Sequence, residues 1–435
     1  MNNSKNTIAG ATVPVAYPLL FWGSLFLVLA GCIIGIMVPA GLGWDFANFY
    51  DAGRMIAAGE QHNLLKSEKV LIGGQPPQGI IDFWGTPISA WLYVPLAGFT
   101  PETALILFKL QNVLAYAAAL LLLYFHVRRF VPAGDLSRWR FTALYALLVL
   151  LYQPFWTVFR VGGQTTATVL LLLCGALILH GRLRYAWSSC LFVAAVMIKP
   201  SLATGLLFLM LVTTPVFLLY SLLWLVLAGV LSVAVMGWDL QMEFVAKMLS
   251  GGGFTGGWAN SSSIYSAFGA LELLQEPGEL QADSRVFNIV VLLTKTAVVA
   301  TFIYVVRRMR SRLAAAQERA HFAFLLAIMF FLLFSQTLWE HYLSFLFIPL
   351  ACLLAVPQCF GRLHGWLLGL LIAVIPLQNL IVVRLLQSRF DLDTLTGLLP
   401  VLIIKTIPLW LSWYMLLKYN DNIMCLYRRG MQGAR

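Results

Sequence analysis

The sequence predicts an all-α polytopic membrane protein, and three observations predict it. Of its 435 residues 60% are hydrophobic and 11% charged, against roughly 45–50% apolar and about 25% charged in an average soluble domain. Mean hydropathy is +0.83. The apolar residues also fall into about twelve runs, several of them close to the roughly 20 residues a helix needs to cross hydrocarbon about 30 Å thick. Too few charges remain to solvate the surface of a water-soluble globule, which excludes that class.

In chain order the runs are Pro18 to Val38, Thr103 to Phe125, Arg140 to Trp156, Thr165 to Leu179, Ala186 to Ile198, Ser201 to Leu211, Val216 to Met236, Val286 to Val306, Ala320 to Phe334, Tyr342 to Val356, Trp366 to Arg384 and Leu395 to Leu417. The first reads as an uncleaved signal anchor ending at Pro39 and Ala40, because it is about a full span long and only Lys5 precedes it. The two runs flanking Lys199 and Pro200 are short. Proline blocks a continuous helix by removing a donor and clashing one turn back, so they read as two short helices meeting outside or as one broken helix.

Charge arbitrates between these readings. Lys and Arg number 29 against 18 Asp and Glu, a formal charge of +11. In a membrane protein such an excess marks cytoplasmic loops rather than a nucleic-acid partner. With both short runs counted as crossings and the N-terminus inside, Lys5, Arg128, Arg129, Arg138, Arg182, Arg184, Arg307, Arg308, Arg310, Arg312, Arg319, Arg362, Lys418, Arg428, Arg429 and Arg435 all fall on the cytoplasmic side. A single crossing would export the Arg307–Arg319 cluster and the basic tail. The expectation is one membrane domain, residues 1–435, in the plasma (inner) membrane with both termini cytoplasmic.

Two large outer segments then stand out. Residues 40–102 carry Asp45, Asp51, Glu60, Glu68 and Asp82 among Trp44, Phe46, Phe49, Tyr50, Phe83 and Trp84, a mixture that fits short helices lying in the membrane interface. Residues 237–285 hold five glycines between Gly251 and Gly257, followed by Asn260 and Ser261 to Ser263. They read either as a lid or as a linker. The six cysteines fall in spans or on the inner side, so no disulfide framework is expected to hold the outer loops. There is no phosphate loop, no Gly-x-Ser-x-Gly elbow and no zinc spacing. Neither a cofactor nor a metal is expected.

The stretch Trp44, Asp45, Phe46, Ala47, Asn48, Phe49, Tyr50, Asp51, Ala52, Gly53, Arg54, closed by Ala58 and Gly59, resembles the first-loop signature of glycosyltransferase family 87. Further pieces match in order: Phe83 to Pro87 running on to Pro95, Gly163 and Gln164, Lys199 and Pro200, Asn260 with its serines, and Trp339 to Tyr342. Thr165 and Thr166 stand where many relatives carry Asn or a similar residue, and Glu340 where Asp is common. The resemblance implies a GT-C-like fold and a donor of the polyprenyl-phosphate-sugar type. It also implies transfer, with inversion, to a lipid or glycan hydroxyl on the outer leaflet.

Such chemistry asks for a carboxylate to take the acceptor proton and for cations at the departing phosphate. The resemblance puts Asp45 in the base position, where capping of a helix is the alternative role. Asp51 is the second carboxylate, with pairing to Arg54 as its alternative. Arg54, Arg160 and Lys199 are the donor-phosphate candidates, with snorkelling as the other fate of Lys199. Gln164 is placed to meet sugar hydroxyls or to cap its span. His341 is placed by the resemblance at the reaction centre, and Glu340 is placed to orient it or cap a helix. Asn260 and Glu340 are acceptor-side candidates, and Lys295 and Lys405 are charges inside spans. A multi-span transporter or flippase and a non-catalytic scaffold are the competing classes, although no internal repeat is evident.

Overall fold

The computed structural model describes residues 13–37, 44–65, 83, 85–132, 134–161, 164–249, 262–269, 285–336, 338–355, 365–367, 369–371 and 395–432. Among them the regular structure is all-helical. Five helices are long and apolar enough to cross a membrane: Ala16–Met37, Pro101–Phe130, Pro215–Met236, Asn288–Arg312 and Ala316–Phe334. Shorter apolar helices cover Thr166–Gly181, Tyr185–Ile198, Pro200–Val212 and Glu340–Leu354. Most of the expected span from Trp366 to Arg384 lies outside the described residues.

Helix α1 (Ala16–Met37) buries only Ser24, while Leu19, Phe26 and Ile33 are exposed. An apolar helix exposed on nearly every side is stable against lipid and not against water. The segment expected outside, called the outer segment below for that expectation, contains α2 (Trp44–Ala57). A proline-led 3-10 helix, Pro87–Gly98, leads to α3 (Pro101–Val127), whose N-cap Thr100 accepts from the Thr103 amide. The run expected from Arg140 to Trp156 is instead two helices, α4 (Asp135–Leu151) and α5 (Gln153–Val161). Tyr152 breaks the helix with ψ 86°, and Pro154 then sits in the first turn of α5, where its missing N–H is no loss.

Helices α6 (Thr166–Gly181), α7 (Tyr185–Ile198) and α8 (Ala203–Val212) settle the question posed by Pro200. At one end His180, near the end of α6, meets Ser188 of α7 at 3.3 Å and Thr213, just past α8, at 3.5 Å. The chain therefore reverses at Lys199 and Pro200, as a hairpin rather than one broken crossing. With 14 residues, α7 is only about 21 Å long at about 1.5 Å per residue.

Helices α9 (Pro215–Met236), α10 (Trp238–Leu249), α11 (Ser266–Gly269), α12 (Arg285–Arg312), α13 (Ala316–Phe334), α14 (Phe347–Leu354) and α15 (Leu395–Gln432) complete the order. A 3-10 helix, Glu340–Leu346, joins α13 to α14. At one end of the bundle, the basic end, His126 and His321 face each other at 2.6 Å between ring nitrogens, tying α3 to α13. Asp421 of α15 pairs there with Arg308 and Arg312 of α12. The opposite end carries Lys199 and is called the site end below.

The outer segment packs on the site end as a small aromatic core. Phe49 stacks on Tyr93 with centroids 4.8 Å apart, and Phe46 meets Phe108 of α3 at 5.7 Å. Gly53 lets α2 lie against the Pro87–Gly98 helix: a Cβ there would stand 2.4 Å from the Tyr93 backbone oxygen. Backbone cannot rotate away, so the overpacking penalty of up to about 3 kcal/mol outweighs the roughly 1 kcal/mol that alanine gains in helix propensity. Gly53→Ala is expected to lower the thermal midpoint measured in detergent micelles, whereas an unchanged midpoint would mean that α2 is not seated this closely.

Candidate functional site

The hairpin turn places Lys199 in extended backbone, φ −129° and ψ 90°, between α7 and Pro200. Its side chain is 7% exposed. Lys199 Nζ donates to Gln164 Oε1 at 3.1 Å and to His341 Nε2 at 3.3 Å, and it lies 4.5 Å from the Tyr342 ring centroid. An N–H can donate to an imidazole nitrogen only when that nitrogen carries no proton, so this geometry assigns His341 as neutral with its proton on Nδ1. Two residues separated by 35 and 142 positions from Lys199 thus meet around its amine. Two of its three hydrogens are used, and no carboxylate among the described residues pairs with it. A buried cation without a counter-charge is a standing invitation to an anion.

The outer segment is fastened to this turn. Thr86 donates both its amide, at 3.3 Å, and its hydroxyl, at 2.5 Å, to the carbonyl of Met197, two residues before Lys199. That carbonyl belongs to the last turn of α7, where it has no helical partner. Ser89 in turn donates to Thr86 O at 2.7 Å. The motif Phe83 to Pro87 is therefore a clasp between outer segment and hairpin.

The Glu340–Leu346 helix is held from three sides. Tyr152 donates to Leu343 O at 2.5 Å, Tyr116 and Ser344 share a hydrogen bond of 3.4 Å, and Thr157 donates to Glu340 Oε1 at 3.3 Å. Gln153 donates to Thr157 at 2.6 Å, one turn earlier on α5. Lys405 of α15 lies within electrostatic reach of Glu340. Thr157→Val keeps the shape and removes the hydroxyl, so it is expected to lose about 1–2 kcal/mol of stability. Thr157→Ser should lose less; equal losses in denaturation would show that the methyl group and not the hydrogen bond carries the effect.

The structure thus brings Gln164, Lys199 and His341 together and sets Glu340 next to His341. Asp45 lies in the first turn of α2. Asp51 is 4% exposed on the same helix, while Arg54 is exposed, 5.9 Å from the Tyr50 ring centroid. Arg160 lies in α5. Asn260 and Ser261 lie outside the described residues. Ser262 and Ser263, which follow them, bond to Leu338 O and Gln336 O at 2.6 Å each, so this end of the second outer segment is anchored just ahead of Glu340. Lys295 donates to Gln336 Oε1 at 3.0 Å. Sequence reasoning missed Gln153 and Thr157, whose local signal was their i, i+4 spacing, and it gave no role to Thr86 and Tyr342, which lie within the motifs Phe83 to Pro87 and Trp339 to Tyr342. Among the described residues no group of three His, Cys, Asp or Glu is placed to hold a metal ion.

A helical bundle with membrane-length apolar helices and a buried, polar, cation-bearing turn at one end defines a polytopic membrane protein. Residues 83–336, more than half of the chain, match the sequence model of glycosyltransferase family 87, and the chain belongs to that family. It is a membrane glycosyltransferase. No curated protein matches it. The matched region includes Thr86, Gln164 and Lys199; Asp45, Asp51 and Arg54 precede it, and Glu340 and His341 follow it.

Proposed function

We propose that the protein transfers a sugar, mannose or another hexose or pentose, from a polyprenyl-phosphate donor to a hydroxyl of a lipid or glycan acceptor. The observation that carries this reading is Lys199: a buried cation, held by Gln164 and His341 and without a carboxylate partner among the described residues, suits a phosphate brought by a lipid. In the scheme Asp45 takes the acceptor proton and the freed oxygen attacks the anomeric carbon from the face opposite the phosphate. The bond from that carbon to the phosphate oxygen breaks. The departing polyprenyl phosphate gains negative charge, which Lys199 meets at once because it is already desolvated and oriented. Arg54 and Arg160 are further cations for the phosphate. Gln164 serves sugar hydroxyls, and Asp51, Asn260 and Glu340 are assigned to the acceptor side. No cofactor enters the scheme.

We further assign the site end to the outer face of the plasma (inner) membrane and the basic end, with both termini, to the cytoplasm, since arginine collects on the cytoplasmic side. About twelve crossings in a GT-C-like arrangement fit that orientation. Purified protein in bilayers with polyprenyl-phosphate-mannose and lipid acceptors is expected to form a glycosylated product. Solute uptake into the vesicles without any transfer would overturn the reading in favour of a transporter.

A further inference from the structure

A charged cavity lies at the basic end, remote from Lys199. It has a volume of about 330 Å³ and is lined by Tyr185, Thr213, Thr214, Arg310, Arg319 and apolar neighbours including Met309. Three turns build it: the one entering α7, the one between α8 and α9, and the one between α12 and α13. Since Tyr185 opens α7 and Lys199 follows its last residue, the two sites stand about 21 Å apart along that helix.

The arginines at this end divide into two groups by helix geometry. Arg308 and Arg312, four apart and so on one face of α12, both turn to Asp421 of α15. Arg310, between them, projects from another face and lines the cavity, exposed. Arg319 Nη1 donates to the carbonyls of Leu313 at 2.9 Å and Ala314 at 2.5 Å, which fixes its guanidinium at the cavity wall. A guanidinium has five N–H donors, so those two bonds leave others to offer. Neither Arg310 nor Arg319 has a carboxylate partner among the described residues. Tyr185, Thr213 and Thr214 bring hydroxyls to the lining, that of Thr213 standing 3.5 Å from His180 Nε2. Leu211, next in sequence to the lining residue Val212, and Leu219, five residues after the lining Thr214, are 70% and 66% exposed, apolar surface for hydrocarbon chains.

We propose that this cavity binds the phosphate of an anionic membrane lipid, with the headgroup between Arg310 and Arg319 and the acyl chains along the exposed leucines. Two arginines, hydroxyl donors and an adjacent lipid-facing wall match a lipid phosphate in charge, hydrogen bonding and position, and basic pockets between membrane helices are suited to such headgroups. The inference does not depend on the transferase reading.

The full-length protein is compared with Arg310→Gln and with Arg310→Gln/Arg319→Gln in detergent micelles doped with phosphatidylglycerol or phosphatidylcholine. Phosphatidylglycerol retained on the protein is counted by native mass spectrometry. Retention is expected to fall about fivefold for each arginine removed, with phosphatidylcholine retention unchanged. Arg310 makes no turn contact like those of Arg319, so the single variant answers even if the double variant folds poorly. Equal phosphatidylglycerol retention in Arg310→Gln and wild type would overturn the proposal. So would binding of inorganic phosphate that leaves lipid retention untouched in wild type but is lost in the variants, because the cavity would then serve a soluble anion.

Discussion

Lys199→Met is expected to reduce sugar transfer by about 10²–10³-fold, the range found when one preorganised electrostatic donor is removed from a reaction centre. The size follows from the setting. The ammonium is buried, already fixed by Gln164 and His341, and faces no carboxylate among the described residues, so it meets leaving-group charge without reorganising. Methionine has nearly the same length but leaves Gln164 Oε1 and His341 Nε2 without their donor, a structural penalty of about 1–3 kcal/mol for each group left unsatisfied. Lys199→Arg separates the two effects, because it keeps the charge while changing the fork geometry. It should keep donor-lipid binding, read as KM, and lose turnover. A folded Lys199→Met protein with full activity would reduce Lys199 to a snorkelling lysine.

Asp45→Asn is expected to lower turnover by about 10²–10⁴-fold, the range for loss of a general base, with the thermal midpoint retained. Asparagine preserves the size of the side chain and its capacity to cap α2, so a purely structural role for Asp45 predicts near-normal activity. A base also predicts a pH profile in which the rate falls on the acid side as the carboxylate is protonated, and this limb should vanish in the variant. Full activity in Asp45→Asn would move the base to another carboxylate, of which Asp51 on the same helix is the first to try.

Much of this architecture was legible in the residues because hydrocarbon is an undemanding solvent: a run of apolar side chains near 20 residues has few options but a helix. The end of the hairpin at Lys199 followed from Pro200, whose effect is local. The break at Tyr152 did not, since the apolar run continues through Gln153 and Pro154 and only packing of Tyr152 onto Leu343 O shows why the chain turns there. The site divides the same way. Lys199 stood out as a charge beside Pro200 where two short helices meet, whereas Gln164 and His341 were singled out by the family resemblance. That one amine would serve both partners, or that Thr157 would reach Glu340 across 183 positions, depends on tertiary contacts that no spacing encodes. The clasp from Thr86 to Met197 was hidden for the same reason: its donor is an ordinary threonine and its acceptor a backbone carbonyl.

The shortness of α7 bears on how a substrate arrives. At about 21 Å against roughly 30 Å of hydrocarbon, the hairpin is about 9 Å short; in the orientation proposed above, with the exposed Arg182 and Arg184 at the cytoplasmic surface, Lys199 lies beneath the outer one. For the lipid-borne donor we propose, that depth leaves no vertical climb, and entry is sideways, from the plane in which the lipid already diffuses. Encounter becomes a two-dimensional problem, and the variable that sets it is the mole fraction of donor in the leaflet rather than its concentration in the suspension.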